Sequence, residues 1–384
     1  MFGIHHLVGL AFCILSLMAT GFTLAAAATL FFRPARARPG KSSRAPVTLL
    51  KPLHLAEPGL EENLRSFFRL DYDGPIQIVF GAQSRKDPAL CVIEKLVREF
   101  PAANVKIVTD PAFGGSNPKV ANLINMLAHA RHEILVLSDS DIRVQPGYLH
   151  EILAALDEPE VGVVSCLYSG KPIGNVWATL AAMGIGYHFL PNVCLGMALR
   201  LTEPCFGSTI ALKRRVLDEI GGFESLANVL ADDYELGRAV REKGYRLSIP
   251  RAFAVEHVCS EQTFSQLFRQ ELRWARTNLL VAKSGYAGTL LTYPLPLAII
   301  AVLLQGFSVL PLAVLGAAIA SRACLAFQSD RFLGVRCGSL WLLPLRDVLS
   351  FAIFVASFFG HTVEWRGTRY VTADDGALAQ LEGA

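Results

Sequence analysis

Residues Glu133-Ile-Leu-Val-Leu-Ser138-Asp139-Ser140-Asp141-Ile-Arg-Val144 carry the reading that decides the fold. Ile134 to Leu137 is a continuous apolar run, too short for a buried helix and bounded by polar residues, so it reads as a strand covered on both faces. Working outward, Val47-Thr-Leu-Leu-Lys-Pro52, Ile76-Gln-Ile-Val-Phe-Gly81 and Val105-Lys-Ile-Val108 are further strands. Residues 59–70, 88–100 and 117–130 have helical periodicity, the second opening on Pro88, which a first helical turn tolerates. Strands alternating with helices predict an α/β, Rossmann-like fold. Its mainly parallel sheet, with helices on both faces, binds ligands beyond the carboxyl ends of the strands.

That rule directs attention to the residues just after each strand. Asp139 and Asp141, one residue apart after Leu137, turn towards a single site and suit a hard cation, Mg2+ or Mn2+, that clamps a diphosphate. An isolated Asp-x-Asp is also an ordinary solvated turn. After Phe80 the chain reaches Asp87, whose carboxylate caps the next helix or recognises a nucleoside, two compatible roles. Gly114-Gly-Ser-Asn-Pro-Lys119 is a glycine-bearing loop ahead of a helix, suited to an anion, with Lys119 as its phosphate partner. Asp232 and Asp233 open a further helical segment; one acid satisfies its N-terminus and leaves the other as general base on an acceptor hydroxyl. Gln270 and Arg273 share a helix face. Arg273 is placed to hold a diphosphate, and Trp274 to stack on a sugar or base or to anchor at a membrane interface.

The remaining composition points to a membrane. Of 384 residues 52% are hydrophobic and 18% charged, against roughly 25% charged in soluble domains. A net charge of +3 with interleaved signs excludes a nucleic-acid footprint. Leu7 to Phe32 is uncharged and long enough to cross the ~30 Å hydrocarbon layer. Its flanks predict an uncleaved anchor, because the start is not basic and Arg33, Arg36, Arg38, Lys41 and Arg44 come after it; these place the next domain in the cytoplasm. Between Lys283 and Arg322 an uncharged stretch broken by Pro294, Pro296, Gly306 and Pro311 makes one tilted span or a short hairpin. In the apolar block Cys337 to Gly360, adjacent Arg346 and Asp347 either neutralise each other at an interface or face a polar cavity. Pro172 to Leu199 is expected to lie against the bilayer and admit a lipid, since a crossing there would put the two acidic motifs on opposite sides. The expected organisation is an anchor at 1–33, a cytoplasmic domain at 45–283 that includes the membrane-associated 172–199, apolar helices at 284–362 and a tail at 363–384. Eight scattered cysteines argue against a zinc site or a disulfide framework and for reduced thiols.

Leu49-Leu-Lys-Pro52, Asp87-Pro-Ala, Asn117-Pro-Lys119, Asp139-Ser-Asp141-Ile-Arg-Val, Asp232-Asp233-Tyr and Gln270-x-x-Arg273-Trp274, in this order, resemble the ceramide glucosyltransferase family (glycosyltransferase family 21), inverting transferases with the GT-A fold. The resemblance runs from about Val47 to Trp274 and implies a UDP-sugar donor, a lipid acceptor and a divalent metal. It implies that Asp87 contacts the donor nucleotide, that Asp139 and Asp141 hold the metal and diphosphate, that Lys119, Gln270, Arg273 and Trp274 serve the donor, that Asp233 is the catalytic base and that His188 lies near the acceptor. Animal members carry glycine at the position of Asp141, so the complete Asp-x-Asp is a departure. Ser-Asp-Ser-Asp together with Trp341-Leu-Leu-Pro-Leu-Arg-Asp347 resembles the bacterial branch of hopanoid biosynthesis, which implies a bacterial inner membrane, UDP-N-acetylglucosamine and a bacteriohopane polyol; UDP-glucose and ceramide are the alternative.

Two competing expectations stand beside this one. A processive polysaccharide synthase shares the acidic and Gln-x-x-Arg-Trp set but needs several spans to export polymer, and its product is a long chain. A non-catalytic membrane scaffold would neither hydrolyse nor transfer the donor.

Overall fold

A computed structural model describes residues 3–31, 44–112, 115–250 and 254–360, and beyond them the backbone of 362–365, 368–372 and 378–380. The basic residues Arg33, Arg36, Arg38 and Lys41, which carry the orientation argument, and Gly114 lie outside the described residues. The chain opens on α1 (Ile4–Phe31) and then alternates: β1 (Val47–Pro52), α2 (Leu60–Phe68), β2 (Ile76–Ala82), α3 (Ala89–Glu99), β3 (Asn104–Thr109), α4 (Pro118–Leu127), β4 (Ile134–Leu137), β5 (Ile142–Arg143), α5 (Tyr148–Leu156) and β6 (Val161–Ser165). Next come β7 (Leu167–Pro172), α6 (Val176–Gly184), a π-helical turn Ile185–Phe189 and α7 (Leu190–Ala198), then β8 (Ile210–Lys213), α8 (Arg214–Glu219), α9 (Asp232–Glu242), β9 (Arg246–Ser248) and β10 (Ala254–Cys259). Helices α10 (Phe264–Val281), α11 (Lys283–Gly288), α12 (Pro294–Gln305), α13 (Val309–Leu333) and α14 (Leu343–Ser357) complete the helical part.

Two compact units divide these elements, one holding Pro34–Tyr168, Glu203–Ser260 and Thr362–Ala384, the other Met1–Arg33, Ser169–Thr202 and Glu261–His361. This division differs from the domain read at 45–283, because 169–202 and the helix bearing Gln270, Arg273 and Trp274 group with the apolar helices.

The first unit is built on a seven-stranded sheet of order β3-β2-β1-β4-β8-β6-β9. Pairing is parallel except around β8, which runs antiparallel to both β4 and β6. Successive strand residues point to opposite faces. Accordingly Ile134 and Val136 pack into a core with α2, α3 and α5, while Leu135 and Leu137 pack into a second core with α4, α8 and α9. This double cover explains the unbroken apolar run of β4. The tail, read at 363–384, takes part in a small antiparallel meander, β11 (Thr362–Trp365), β12 (Thr368–Thr372) and β13 (Leu378–Gln380); the β-branched and aromatic residues of β11 and β12 favour strands.

In the second unit, α1 buries Gly9, Cys13, Ser16, Thr20, Thr23, Ala27 and Leu30. These mostly small residues recur every three or four positions and let α1 approach α12 and α13 closely, with Ser16 Oγ donating to the Pro294 carbonyl at 2.9 Å. Among the described residues four helices are long and apolar enough to cross a membrane: Ile4–Phe31, Val176–Ala198, Val309–Leu333 and Leu340–Ser357. The pair Lys283–Thr292 and Pro294–Gln305 is bent by 67°, as expected where Tyr293 precedes a proline and leaves helical space. Val176–Ala198, read as lying on the bilayer, is thus also a candidate span, although protein buries 61% of it against 33% of Ile4–Phe31. Arg346 and Asp347 do not neutralise each other, because consecutive helical residues do not face one another. Asp347 instead accepts two bonds from Arg322 at 2.7 and 2.8 Å.

Candidate active site

The site of the sheet unit begins where β4 ends. Lys51, the last-but-one residue of β1, is fully buried and donates from Nζ to the Asp139 carbonyl at 2.6 Å and to Ser138 Oγ at 3.3 Å. Asn63 of α2 donates to the Ser140 carbonyl at 3.3 Å, and Val258 N of β10 to the Asp141 carbonyl at 2.8 Å. Three separate elements therefore hold the backbone of the Asp-x-Asp turn, and its side chains are left to do chemistry. Burial pushes the Lys51 amine down to about 7, even though Asp139 and Asp141 act to raise it.

Four charged side chains meet beside this turn. Lys119 Nζ lies 2.9 Å from Asp139 Oδ1 and 3.3 Å from Asp232 Oδ2. Asp233 Oδ2 accepts from Gly207 N and Oδ1 from Tyr234 N, each at 2.8 Å. Gly207 is the point around which they gather, since a Cβ there would sit 3.0 Å from Lys119 Nζ, 3.2 Å from Asp139 Oδ2 and 3.4 Å from Asp233 Oδ2. Burial opposes the charge on Lys119, yet Asp139, Asp232 and Asp233 together outweigh it and hold the ammonium above the ordinary lysine range. Asp233 is pushed up to about 6, first by burial and then by Asp232, against the pull of Lys119 and two backbone N–H groups.

Local sequence explains how these residues arrive. Asn117 caps α4, its side chain accepting from Lys119 N and Val120 N at 3.0 and 3.1 Å. Its Nδ2 donates to the Val229 carbonyl at 2.8 Å and its N to the Ala227 carbonyl at 2.9 Å, which ties the start of α4 to the loop that leads into Asp232. The first-turn amides expected to cradle an anion are thus already taken, and Lys119 faces acids. The N-cap of α9 is Ala231, which makes no side-chain cap; Asp233 Oδ1 satisfies the first-turn amide of Tyr234, while its Oδ2 and the carboxylate of Asp232 are turned to the site. Asp87 does serve its helix, Oδ1 accepting from Ala89 N at 2.9 Å, while Oδ2 accepts from Leu55 N at 3.1 Å.

The metal expectation is tested by Asp141. Its Oδ2 lies 3.6 Å from His257 Nδ1, whereas its Oδ1 is buried with no hydrogen-bond partner. An orphaned carboxylate oxygen beside Asp139 fits a hard cation. Among the described residues no group of three or more His, Cys, Asp and Glu is disposed to hold an ion; such cations are commonly held by one or two carboxylates, with phosphate oxygens and water completing the shell.

Gln270, Arg273, Trp274 and His188 belong to the other unit. The first three are half-buried on α10, which Thr263 caps by accepting from Gln266 N at 3.2 Å. His188 lies in the π-helical turn, a feature often found at functional sites. Its Nε2 is 2.9 Å from Thr292 Oγ1, and its ring stacks on Tyr293 at 4.8 Å. The sequence reading missed three contributors. Lys51 was signalled by a cation inside an apolar strand; Gly207 and His257 carry no local signal.

The profile of glycosyl transferase family 21 matches residues 5–378. Ceramide glucosyltransferase 1 of Caenorhabditis elegans is 26% identical over 234 residues, which cover 61% of this chain and 50% of that protein. Ceramide glucosyltransferase 3 of the same organism is 24% identical over 360 residues, 88% of this chain and 75% of that protein. The chain thus spans half to three quarters of the length of these relatives. Among solved structures, a mannosyltransferase from Pyrobaculum calidifontis in complex with GDP-Man and Mn2+ superposes with a TM-score of 0.53 at 20% identity, over 93% of this chain and 99% of that one. The fold is GT-A, as the resemblance implied, with the α/β order expected from the alternating strands and helices.

Proposed function

Because the chain belongs to glycosyl transferase family 21, we propose that it moves one sugar from a nucleotide-diphosphate donor to a membrane-lipid hydroxyl, with inversion at the anomeric carbon. The observation that carries this reading is the convergence of Asp139, Lys119 and Asp233 on the bare Cα of Gly207, at the carboxyl end of β4, with Asp232 paired to the same Lys119. In a sheet of this kind that is where a ligand binds.

Asp233 takes the proton from the acceptor hydroxyl as its oxygen attacks the anomeric carbon; the bond to the diphosphate breaks and its electron pair departs with the nucleoside diphosphate. A carboxylate raised to about 6 is a better base than an ordinary one and is still ionised at neutral pH. Asp87 meets the donor nucleoside, Lys119 the donor phosphates, Gln270, Arg273 and Trp274 the donor, and His188 the acceptor. A divalent cation, Mg2+ or Mn2+, held by Asp139 and Asp141 supplies neutralisation of the charge that develops on the leaving diphosphate.

The acceptor is read in two ways, each with its own support. The Ser-Asp-Ser-Asp turn and the Trp341 to Asp347 segment favour N-acetylglucosamine on a bacteriohopane polyol. Two relatives named as ceramide glucosyltransferases favour glucose on ceramide. The test is transfer in lipid nanodiscs with Mn2+ and either radiolabelled UDP-N-acetylglucosamine or UDP-glucose, with mass spectrometry of the extracted lipids. One sugar per lipid is expected, and Asp233→Asn should abolish turnover while nucleotide binding persists. A long polymer would assign a processive synthase instead, and near-normal turnover by the variant would remove Asp233 as base.

A further inference from the structure

Charge buried in an apolar unit persists only with a partner, and within membrane helices it signals function by default. Arg346 is the largest fully buried side chain of the described residues. Its guanidinium donates to both carboxylate oxygens of Glu271 at 2.8 and 2.5 Å, to the Leu180 carbonyl at 3.1 Å, and twice to Ser350 Oγ at 3.0 and 2.8 Å. A guanidinium has five N–H donors, and these contacts use all of them. One side chain of α14 thereby grips α10 through Glu271 and α6 through Leu180. The grip depends on Gly184, where a Cβ would stand 3.2 Å from both Arg346 Cζ and Glu271 Oε1. Gly184 directly precedes the turn that carries His188.

Glu271 sits inside the Gln270-x-x-Arg273-Trp274 signature. On a helix it points about 100° away from Gln270 and about 200° from Arg273, with Trp274 about 60° from it, so holding Glu271 fixes the direction in which Gln270 and Arg273 are turned without occupying their face. A bond to a single point charge would let α10 turn; a planar two-point fork does not. Nor is stability the distinguishing property of such a pair, since well-packed apolar residues commonly do as well or better.

We infer that Arg346 and Glu271 are positioning residues that lock the rotation and depth of α10, and with it Gln270, Arg273 and Trp274, against α6 and α14. The purpose of the lock rests on the transferase reading above; the lock itself does not. The experiment compares wild type, Arg346→Lys and the paired apolar variant Glu271→Leu with Arg346→Met in lipid nanodiscs, reading hydrogen–deuterium exchange of α10 and the kcat and KM for the nucleotide sugar. Arg346→Lys keeps the charge but loses the fork, and is expected to raise α10 exchange and lower kcat/KM at least tenfold. The paired variant is expected to unfold at wild-type temperature and still lose kcat/KM to a similar degree. Unchanged α10 exchange in Arg346→Lys, or wild-type kinetics in the folded paired variant, overturns the inference. Wild-type protein that transfers no sugar from any nucleotide donor refutes the transferase reading instead, and the exchange result alone then decides the lock.

Discussion

Replacing Lys119 by Met removes one positive charge from among three carboxylates, and the consequence for Asp233 can be worked out from the structure. Lys119 Nζ and Asp233 Oδ2 lie within 3.0 and 3.4 Å of the same Gly207 point, so they are no more than about 6.4 Å apart. At that separation and an effective dielectric constant of ~20, the attraction is about 2.6 kcal/mol, or roughly 2 pKa units. Asp233 is half-buried, and water reaching it reduces the effect to about 1–2 units. The sign comes from the chemistry: a cation favours the ionised carboxylate, so its loss raises the pKa of Asp233 from about 6. The acid limb of kcat/KM therefore moves from near pH 6 to between about 7 and 8, while Lys119→Arg holds it in place. The assay is the pH profile of kcat/KM, obtained by varying the donor at saturating Mn2+, a condition that keeps the metal's own field equal in all variants. A limb that stays within about 0.3 units of wild type, with only the donor KM raised, would refute the coupling and leave Lys119 as a phosphate ligand alone.

Asp141→Asn weakens the orphaned oxygen ligand, and because supporting residues alone are worth about 10–100-fold in metal affinity, the Mn2+ concentration giving half-maximal transfer should rise at least tenfold; an unchanged Mn2+ titration would remove Asp141 from the metal site. Gly207→Ala puts a methyl 3.0 to 3.4 Å from Lys119, Asp139 and Asp233. It should cut transfer about tenfold, near 1.4 kcal/mol, without lowering Tm, and wild-type transfer would show that this space is not used. Lys51 is lowered to about 7 from 10.5, so the unfolded chain binds the extra proton between those values and stability rises with pH across that window, by up to about 5 kcal/mol. Lys51→Met should flatten the rise of Tm between pH 7 and 10 and impair transfer by freeing the Asp139 turn; a variant that keeps the slope contradicts the assignment.

Much of the fold was legible from residue order because its signals are local. Val47 to Pro52 and Ile134 to Leu137 were bounded to within a residue, since a short apolar run between polar residues has few other ways to bury itself. The position of Asp139 and Asp141 at a strand end, and the long uncharged helices, are of the same kind. Capping and catalysis ask for the same residue type at a helix start, so residue order left both open for Asp87 and Asp233; each carboxylate accepts from a first-turn amide of its own helix and from a backbone N–H elsewhere in the chain.

By itself, then, the sequence determined the alternating α/β order, the apolar helices and which acids stand at element ends. Each arises from a period of two or 3.6 that the backbone imposes on neighbouring residues. Tertiary structure alone decided that β8 lies reversed between β4 and β6, that Gly207 is the point shared by Asp139, Lys119 and Asp233, and that Arg346 bonds Glu271 rather than its neighbour Asp347. Those pairings join residues tens of positions apart in sequence, and they are selected by how packed faces and buried charges satisfy one another, which no local periodicity encodes.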